Sequence, residues 1–502
     1  MIIHGINGLT VRLIFTANHF NYYFSSPTIP FDRRVFASTV LTCVLLVVSP
    51  TPAQEPDANA AKPSWPTHSH DVQHTGVSAV RSEPLRRIRW QTPVDLKPQI
   101  SSGSLFIHYG SPLVTAKNTV IVPVKTGAAA GFRVEGRNGR SGALKWSLDS
   151  DYRVPSAAFT PSFGPVLSRD KVVVPAAGGT ILIRQDDDVP NAAVVRVAFY
   201  GLDDFRANRQ VFTENVKINT PITADHQGNL FFGFMVLGPI PIPLQSGLAR
   251  IGSNGSSLWV SAAVASGDPS ITKINMNCAP ALSTDERHLY VGVNSSDFGF
   301  GYLLELDATT LQPLNKVRLK DPFSGNDALI TDQSSATPTV GPDGDVYFGV
   351  LENPFPFHHD RGWLLHFSGD LSHEKIPGGF GWDDTASIVD AFLVPSYHGT
   401  SSYLLMTKYN NYASRGGDGV NKLAILDPNA SMPDFIFGNP VMNEVLTVAG
   451  LTPDSEFPFF PNAVREWCIN TAALIRSHAP CWRIARMANC TAGTSQRIVF
   501  RK

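Results

Sequence analysis

Three histidines and an aspartate fall within seven residues near the start of this chain. The stretch WPTHSHDVQHTG, Trp65 to Gly76, holds His68, His70 and His74 with Asp71 beside them. Imidazole and carboxylate at such spacing are what zinc or iron takes as ligands. A second knot, FHHDRGW, pairs His358 and His359 with Asp360. Neighbours on an extended chain point to opposite sides, so both imidazoles reaching one ion is awkward, and an inter-strand loop is the better reading. The acidic run RQDDDVP, with Asp186, Asp187 and Asp188, lacks the alternating spacing and fixed glycine of a calcium loop and reads as a solvated turn. HEKIP, from His373, lacks the second histidine of a zinc-protease motif, and GGDGVN, from Gly416, is turn chemistry. No GxSxG and no P-loop is present.

One stretch suits ligand binding better. PGGFGWDDTASIVDAFLVPSYHG, Pro377 to Gly399, sets Trp382 beside Asp383 and Asp384 in a glycine-rich connection leading into a strand. TKYNNYASRGGDG, from Thr407, adds Tyr409, Asn410, Asn411, Tyr412 and Arg415. Tryptophan beside aspartate can hold a sugar or a cation, and connections on a rigid scaffold are where binding groups collect. The candidate ligand-binding residues are therefore Trp382, Asp383, Asp384, Tyr409, Asn410 and Arg415. The competing reading makes Trp382 a packing residue and the aspartate pair a turn. No catalytic, cofactor-binding or metal-ligating residue is assigned.

The elements that must position these groups are β-strands. The chain has 502 residues, 43% hydrophobic and 17% charged, with 41 basic against 42 acidic side chains. This balance disfavours nucleic acid, which needs a basic face. Forty glycines and 38 prolines suit short strands joined by turns. Six segments share one pattern: SPLVTAKNTVIVPVKT from Ser111, GPVLSRDKVVVPAAGG from Gly164, TPITADHQGNLFFGF from Thr220, APALSTDERHLYVGV from Ala279, TPTVGPDGDVYFGV from Thr337 and VPSYHGTSSYLLMTK from Val394. Their prolines stand at 112, 165, 221, 280, 338 and 395, an interval of 53 to 59 residues. Apolar runs bounded by Asp, Asn and Gly are hairpin signals. Further strands follow around Trp146, Trp259 and Trp363, giving about four per repeat. A small sheet with two apolar faces is covered by stacking radially on its neighbours, which predicts an all-β fold, a β-propeller. Seven blades are expected, with eight as the alternative.

These repeats resemble those of the quinoprotein (PQQ) dehydrogenase superfamily, in which Pro, Asp-Gly, a VYVG-like strand and a late Trp recur. The WPTHSHDVQHTG stretch is similar to the segment that opens many such propellers, which implies that its histidines pin a strand by local hydrogen bonds. The resemblance runs from Trp65 to Ala473 and implies a fold more than an activity. Family enzymes hold PQQ with calcium, a stacking tryptophan and often a vicinal disulfide; this chain has no Cys-Cys pair. The expected function is a non-catalytic binding or interaction scaffold whose partner is a protein, a small molecule or a glycan. The alternatives are a PQQ-dependent oxidoreductase acting on an alcohol or sugar, with PQQ and calcium, and a carbohydrate-binding or lyase-type propeller.

Residues 1–54 read as a leader and signal peptide. DRR, Asp32 to Arg34, precedes the apolar run Val35 to Val48, too short to span a bilayer, and small residues Thr51 and Ala53 follow. Export to the periplasm or medium is expected, with membrane contact only through this segment. Residues 55–64 are a linker and 65–473 the propeller. Five cysteines include no CxxC. A Cys278–Cys468 disulfide is one reading and two buried thiols the preferred one.

The pattern stops after Ala473. Residues 474–502, LIRSHAPCWRIARMANCTAGTSQRIVFRK, carry no blade motif. Reading the third base of each codon with the first two of the next forces Leu at Cys481-Trp482, Gly at Met487-Ala488 and Leu at Asn489-Cys490. Permissible codons elsewhere give DPLTRSVLANSEDGKLYRWDLTANRF, which has the Asp-Gly turn and late Trp of a blade. The tail is therefore expected to be frameshifted and the last blade incomplete. The coding DNA decides this. The lone strand Arg87 to Leu96, with Trp90, should find its partners at the end of the chain.

Overall fold

The structure is a computed structural model that describes residues 64–82, 87–97, 99–101, 104–106, 110–127, 130–154, 163–332, 334–449, 472–477, 482–486 and 497–501. The leader, most of the linker and Cys468 lie outside the described residues. Cys278 is buried as a free thiol.

The repeats fold as consecutive antiparallel sheets. The first runs Leu113–Val114, Thr119–Lys125, Ala130–Asn138, Leu144–Arg153, and the second Val166–Ser168, Lys171–Pro175, Ile181–Arg184, Val194–Val197. The third runs Thr223–Ala224, Leu230–Val236, Gly247–Ile251, Ser257–Ser261, and the fourth Ala281–Leu282, His288–Asn294, Gly301–Asp307, Pro313–Arg318. Short strands Val216–Ile218 and Lys273–Ile274 extend the inner edges of the third and fourth. The fifth keeps three strands, Thr339–Val340, Val346–Val350 and Trp363–Phe367. The sixth has Ser387–Asp390, Tyr403–Tyr409, Lys422–Pro433 and Pro440–Ala449.

Burial falls from the inside outward. Second strands such as Thr119–Lys125, Val346–Val350 and Tyr403–Tyr409 are buried along their whole length, on both faces. Fourth strands such as Val194–Val197 and Pro313–Arg318 are half or fully exposed. Two-sided burial of an inner strand is what sheet-on-sheet stacking produces, and it explains why these strands read as continuous apolar runs rather than alternating ones.

Circular order is fixed by the segment Trp65 to Gly76. Trp65 exchanges backbone hydrogen bonds with Val114 at 2.8 and 3.0 Å, and the carbonyl of Pro66 accepts from Leu167 at 2.7 Å. The carbonyls of Val72, Gln73, Thr75 and Gly76 then accept from Leu282, Val340, Ile388 and Leu474 at 2.8, 2.9, 2.8 and 2.8 Å. One short segment therefore touches the innermost strands of all these sheets but the third, in chain order, as sheets arranged around it allow. The fold is a β-propeller, and the segment lies on its axis.

Further strands from early and late in the described residues pair with one another. Val77–Ser82 runs parallel to Ala472–Ser477, which pairs with Trp482–Arg486. Ile88–Pro93 pairs antiparallel with Arg497–Arg501, so the lone strand does find its partner last. These form two small sheets, one of three strands and one of two.

The sixth proline is out of register. Four prolines directly precede an inner strand and Pro221 stands one residue ahead of one, but Pro395 follows Ser387–Asp390. Thr385-Ala386-Ser387-Ile388 is the counterpart of Thr337-Pro338-Thr339-Val340, because Val340 and Ile388 donate to Gln73 and Thr75 and Thr339 Oγ1 donates to the Ala386 carbonyl at 2.9 Å. Alanine stands where the other repeats carry proline. Trp363 also differs from its supposed equivalents, lying in a third strand where Trp146 and Trp259 lie in fourth strands.

Candidate functional site

In antiparallel sheets the connection from second to third strand and the connection into the next sheet open at the same end. Residues 351–362 of the fifth sheet, 377–386 leading into the sixth, and 410–421 of the sixth therefore share one face. Asp360 is at their centre. Its carbonyl accepts from Trp382 Nε1 at 2.9 Å and from Asn410 Nδ2 at 3.2 Å. Its carboxylate is 3.9 Å from Arg415 Nε. His359 and Asp360 take left-handed backbone angles, φ 59° and 63°, a region that His and Asp enter more readily than most side chains. Glu352 fixes that turn by accepting from the backbone of Asp360 at 2.8 Å and of Gly362 at 2.9 Å. Burial raises the Glu352 carboxyl to about 7. Burial also raises Asp360 to about 6, against the opposing pull of Lys408 and Arg415.

The structure thus brings Trp382, Asn410 and Arg415 together around Asp360. Asp383 joins from the side: its carboxylate accepts from Lys408 Nζ at 2.9 Å and from the Ser335 backbone at 3.2 Å. Asp384 is buried and accepts from the Lys408 backbone at 3.2 Å. Tyr409 lies apart, buried flat against Phe380 with Arg361 over its ring at 4.3 Å. The competing reading holds in part: Trp382 is half-buried and Trp382 to Asp384 do lie in a turn and bend, although both carboxylates are hydrogen-bonded within the protein. Asp360 was read only as a loop residue; its central place depends on contacts across 22 to 50 residues. Above the cluster, Phe357 and Phe298 are 65% and 50% exposed, Phe298 packs edge-on to Phe355 at 6.1 Å, and Arg415 covers Phe355 at 4.9 Å.

The other polar knots are structural. His74 Nδ1 donates to the Pro338 carbonyl at 2.8 Å, His68 lies between Ser111 Oγ and Thr385 Oγ1 at 3.3 and 3.4 Å, and His70 meets Asp71 at 3.2 Å. The three imidazoles share no partner among these four. They pin the axial strand as expected, but mostly by long-range bonds rather than local ones. Burial lowers His68 to about 3 and holds His74 below its ordinary value, so both are neutral at pH 7. Asp186 caps its own turn at 2.7 and 2.8 Å, and Asp188 pairs with Lys145. Among the described residues no group of three or more His, Cys, Asp or Glu could hold a metal ion.

The calcium and PQQ that the resemblance implies would need oxygen ligands at the mouth of the ring. Between the fourth and fifth sheets the side-chain oxygens of Asn275, Asn277, Asn294 and Thr331 are buried without partners. The carboxylate in that neighbourhood, Asp332, already carries the Lys273 ammonium at 2.5 Å and Asn294 Nδ2 at 3.4 Å. The Lys273 ammonium already neutralises this carboxylate, and like charge opposes a second cation beside it. As arranged, these described residues do not fit the metal.

Solved structures similar to this chain include a quinohemoprotein alcohol dehydrogenase from Comamonas testosteroni, 14% identical, with a TM-score of 0.37 over 77% of this chain and 53% of that one. A europium-containing methanol dehydrogenase is 12% identical, with a TM-score of 0.34 over 76% and 62%. The Dos1 propeller is 11% identical, with a TM-score of 0.37 over 67% and 69%. The chain thus spans 53% and 62% of the length of the two dehydrogenases. No protein-family model matches the chain, and no curated protein matches it. Among the described residues no helix is long and apolar enough to cross a membrane.

Proposed function

We propose that the propeller is an exported, non-catalytic binding scaffold whose working surface is the face bearing Asp360, Trp382, Asn410 and Arg415. The observation that carries this reading is the way these groups are used. Asp383 is neutralised by Lys408, Trp382 and Asn410 spend their N–H groups on the Asp360 carbonyl, and an exposed phenylalanine rim stands above them. Groups tied to one another in this way make a rigid platform. Aromatic side chains beside a partly exposed arginine are the composition of contact surfaces. A sugar is the ligand class that Trp382 and Asp360 would suit within this reading.

The test uses the full-length protein incubated with PQQ and Ca²⁺ and assayed for dye reduction with alcohols and aldoses. The scaffold reading expects no quinone absorbance and no turnover, and saturable dye reduction overturns it in favour of the oxidoreductase. In parallel, a glycan array is probed with wild type and with Trp382→Ala. Glycan binding lost in the variant assigns the surface a carbohydrate ligand; glycan binding that the substitution leaves intact removes this face from the proposal.

A further inference from the structure

Four Asn-X-Ser/Thr triplets without a middle proline are present: Asn254-Gly255-Ser256, Asn294-Ser295-Ser296, Asn429-Ala430-Ser431 and Asn489-Cys490-Thr491. This is the acceptor pattern for an N-linked glycan on an exported chain. The last triplet lies outside the described residues. The fold treats the other three differently.

Asn294 is fully buried, and its Nδ2 donates to the Ser296 carbonyl at 2.8 Å and to Asp332 at 3.4 Å. A glycan on that nitrogen is incompatible with the packed sheet. Asn429 is exposed, but it lies within the strand Lys422–Pro433 and spends its Nδ2 on Ser401 Oγ at 3.0 Å. Asn254 stands at the tip of the hairpin that joins Gly247–Ile251 to Ser257–Ser261. The Gly252 N–H donates to the Ser256 carbonyl at 2.7 Å and the Gly255 N–H to the Gly252 carbonyl at 2.9 Å, which closes the turn. Every residue from Ser253 to Ser257 is exposed. A Cβ added at Gly255 would meet nothing within 4 Å, so the tip projects into open space.

Within this tip Asn254 Oδ1 accepts from the Ser256 backbone N–H at 3.0 Å and from Ser256 Oγ at 2.7 Å. A backbone N–H only donates, so the atom facing Ser256 is the amide oxygen. Nδ2 is therefore the atom left without a partner among the described residues. Two donors on Oδ1 draw electron density out of the amide and make its N–H more acidic. The triplet's own serine thus prepares the nitrogen that an incoming sugar would take.

We propose that Asn254 is an N-glycosylation site, a reading that rests on the export of the chain. The donor is an oligosaccharide on a polyprenyl diphosphate, brought by a transferase. The sugar C1–O bond breaks and the diphosphate leaves with the electron pair, while Nδ2 forms the new C1–N bond and gives one proton to a base of the transferase. In an antiparallel sheet the connection from third to fourth strand opens at the end opposite to that from second to third. The glycan therefore covers the face away from Asp360 and leaves the platform clear.

The experiment produces the full-length chain in a cultured eukaryotic cell line, once with its own leader and once behind a host signal peptide. Occupancy is read at each asparagine by glycopeptide mass spectrometry, in cells and in medium. Behind the host signal peptide Asn254 should be occupied, Asn429 less so and Asn294 not at all. Ser256→Ala should lower occupancy at Asn254 by roughly tenfold and Ser256→Thr should keep it. Both variants should unfold at the wild-type temperature, because the turn is exposed. A bare Asn254 behind the host signal peptide overturns the proposal, as does heavier occupancy at Asn294 or Asn429. Glycan at Asn254 only behind the host signal peptide upholds the acceptor and counts against export by the chain's own leader.

Discussion

The axial segment Trp65 to Gly76 and the platform around Asp360 both combine tryptophan and aspartate with other polar groups, but they use them in opposite ways. On the axis His68 and His74 reach residues at the starts of other sheets, over separations of 43, 264 and 317 residues, while His70 and Asp71 bond locally. On the platform the groups bond to one another within two neighbouring sheets, and the outermost are open to water. The axial arrangement ties the ring together, whereas the platform arrangement shapes a surface. Similar composition therefore says little about role until it is known how far each bond reaches and whether its ends are in solvent.

The sharpest way to break this contrast is at His74, which is fully buried and donates to the Pro338 carbonyl. His74→Ala removes a buried ring and strands an acceptor, and should cost about 4 kcal/mol in urea-induced unfolding. A loss below about 1 kcal/mol would mean that the axial segment is carried by the ring and does not secure it.

Much of this was readable beforehand, for identifiable reasons. Turn residues and apolar runs recur because each sheet needs the same short-range chemistry, so the strands from Leu113 to Phe367 were legible one repeat at a time. Register failed at Pro395, where the sequence keeps a proline but the inner strand has moved ahead of it, behind Ala386. Of the groups gathered around Asp360, Trp382, Asn410 and Arg415 could be named from the sequence because aromatic, amide and charged residues gather in connections. Asp360 was passed over, since nothing local shows that its carbonyl receives two side chains from other connections. The axial role of Trp65 to Gly76 was foreseen as strand pinning, but its reach was not, because hydrogen bonds that close a ring leave no periodic trace in the segment that makes them.

A second test lies beneath the platform. The Glu352 carboxyl is raised to about 7 by burial, from an ordinary value near 4.5. The folded state therefore holds a proton that the unfolded chain has released, and stability falls as pH rises from about 4.5 through 7. The full effect is about 3 kcal/mol by the usual conversion. Glu352→Gln, which keeps an acceptor for the backbone of Asp360 or Gly362, should flatten that decline when unfolding is measured from pH 5 to 8. An unchanged slope would show that the turn under Asp360 is not held by a protonatable group.

The smallest effect is expected at the edge of the platform, and it separates electrostatics from stability. The Arg415 side chain is 43% exposed and 3.9 Å from Asp360, so Arg415→Ala should change unfolding free energy by less than about 0.5 kcal/mol. Yet Arg415 is one of the two cations that oppose the burial-driven rise of Asp360. Without it the Asp360 carboxyl should titrate above its present value of about 6, as followed by carboxyl ¹³C shifts. A variant that keeps its stability and moves this titration upward would place Arg415 in the surface chemistry of the face. If stability fell instead and the titration stayed where it is, Arg415 would belong with the groups that hold the fold, and the contrast between axis and platform would lose its clearest member.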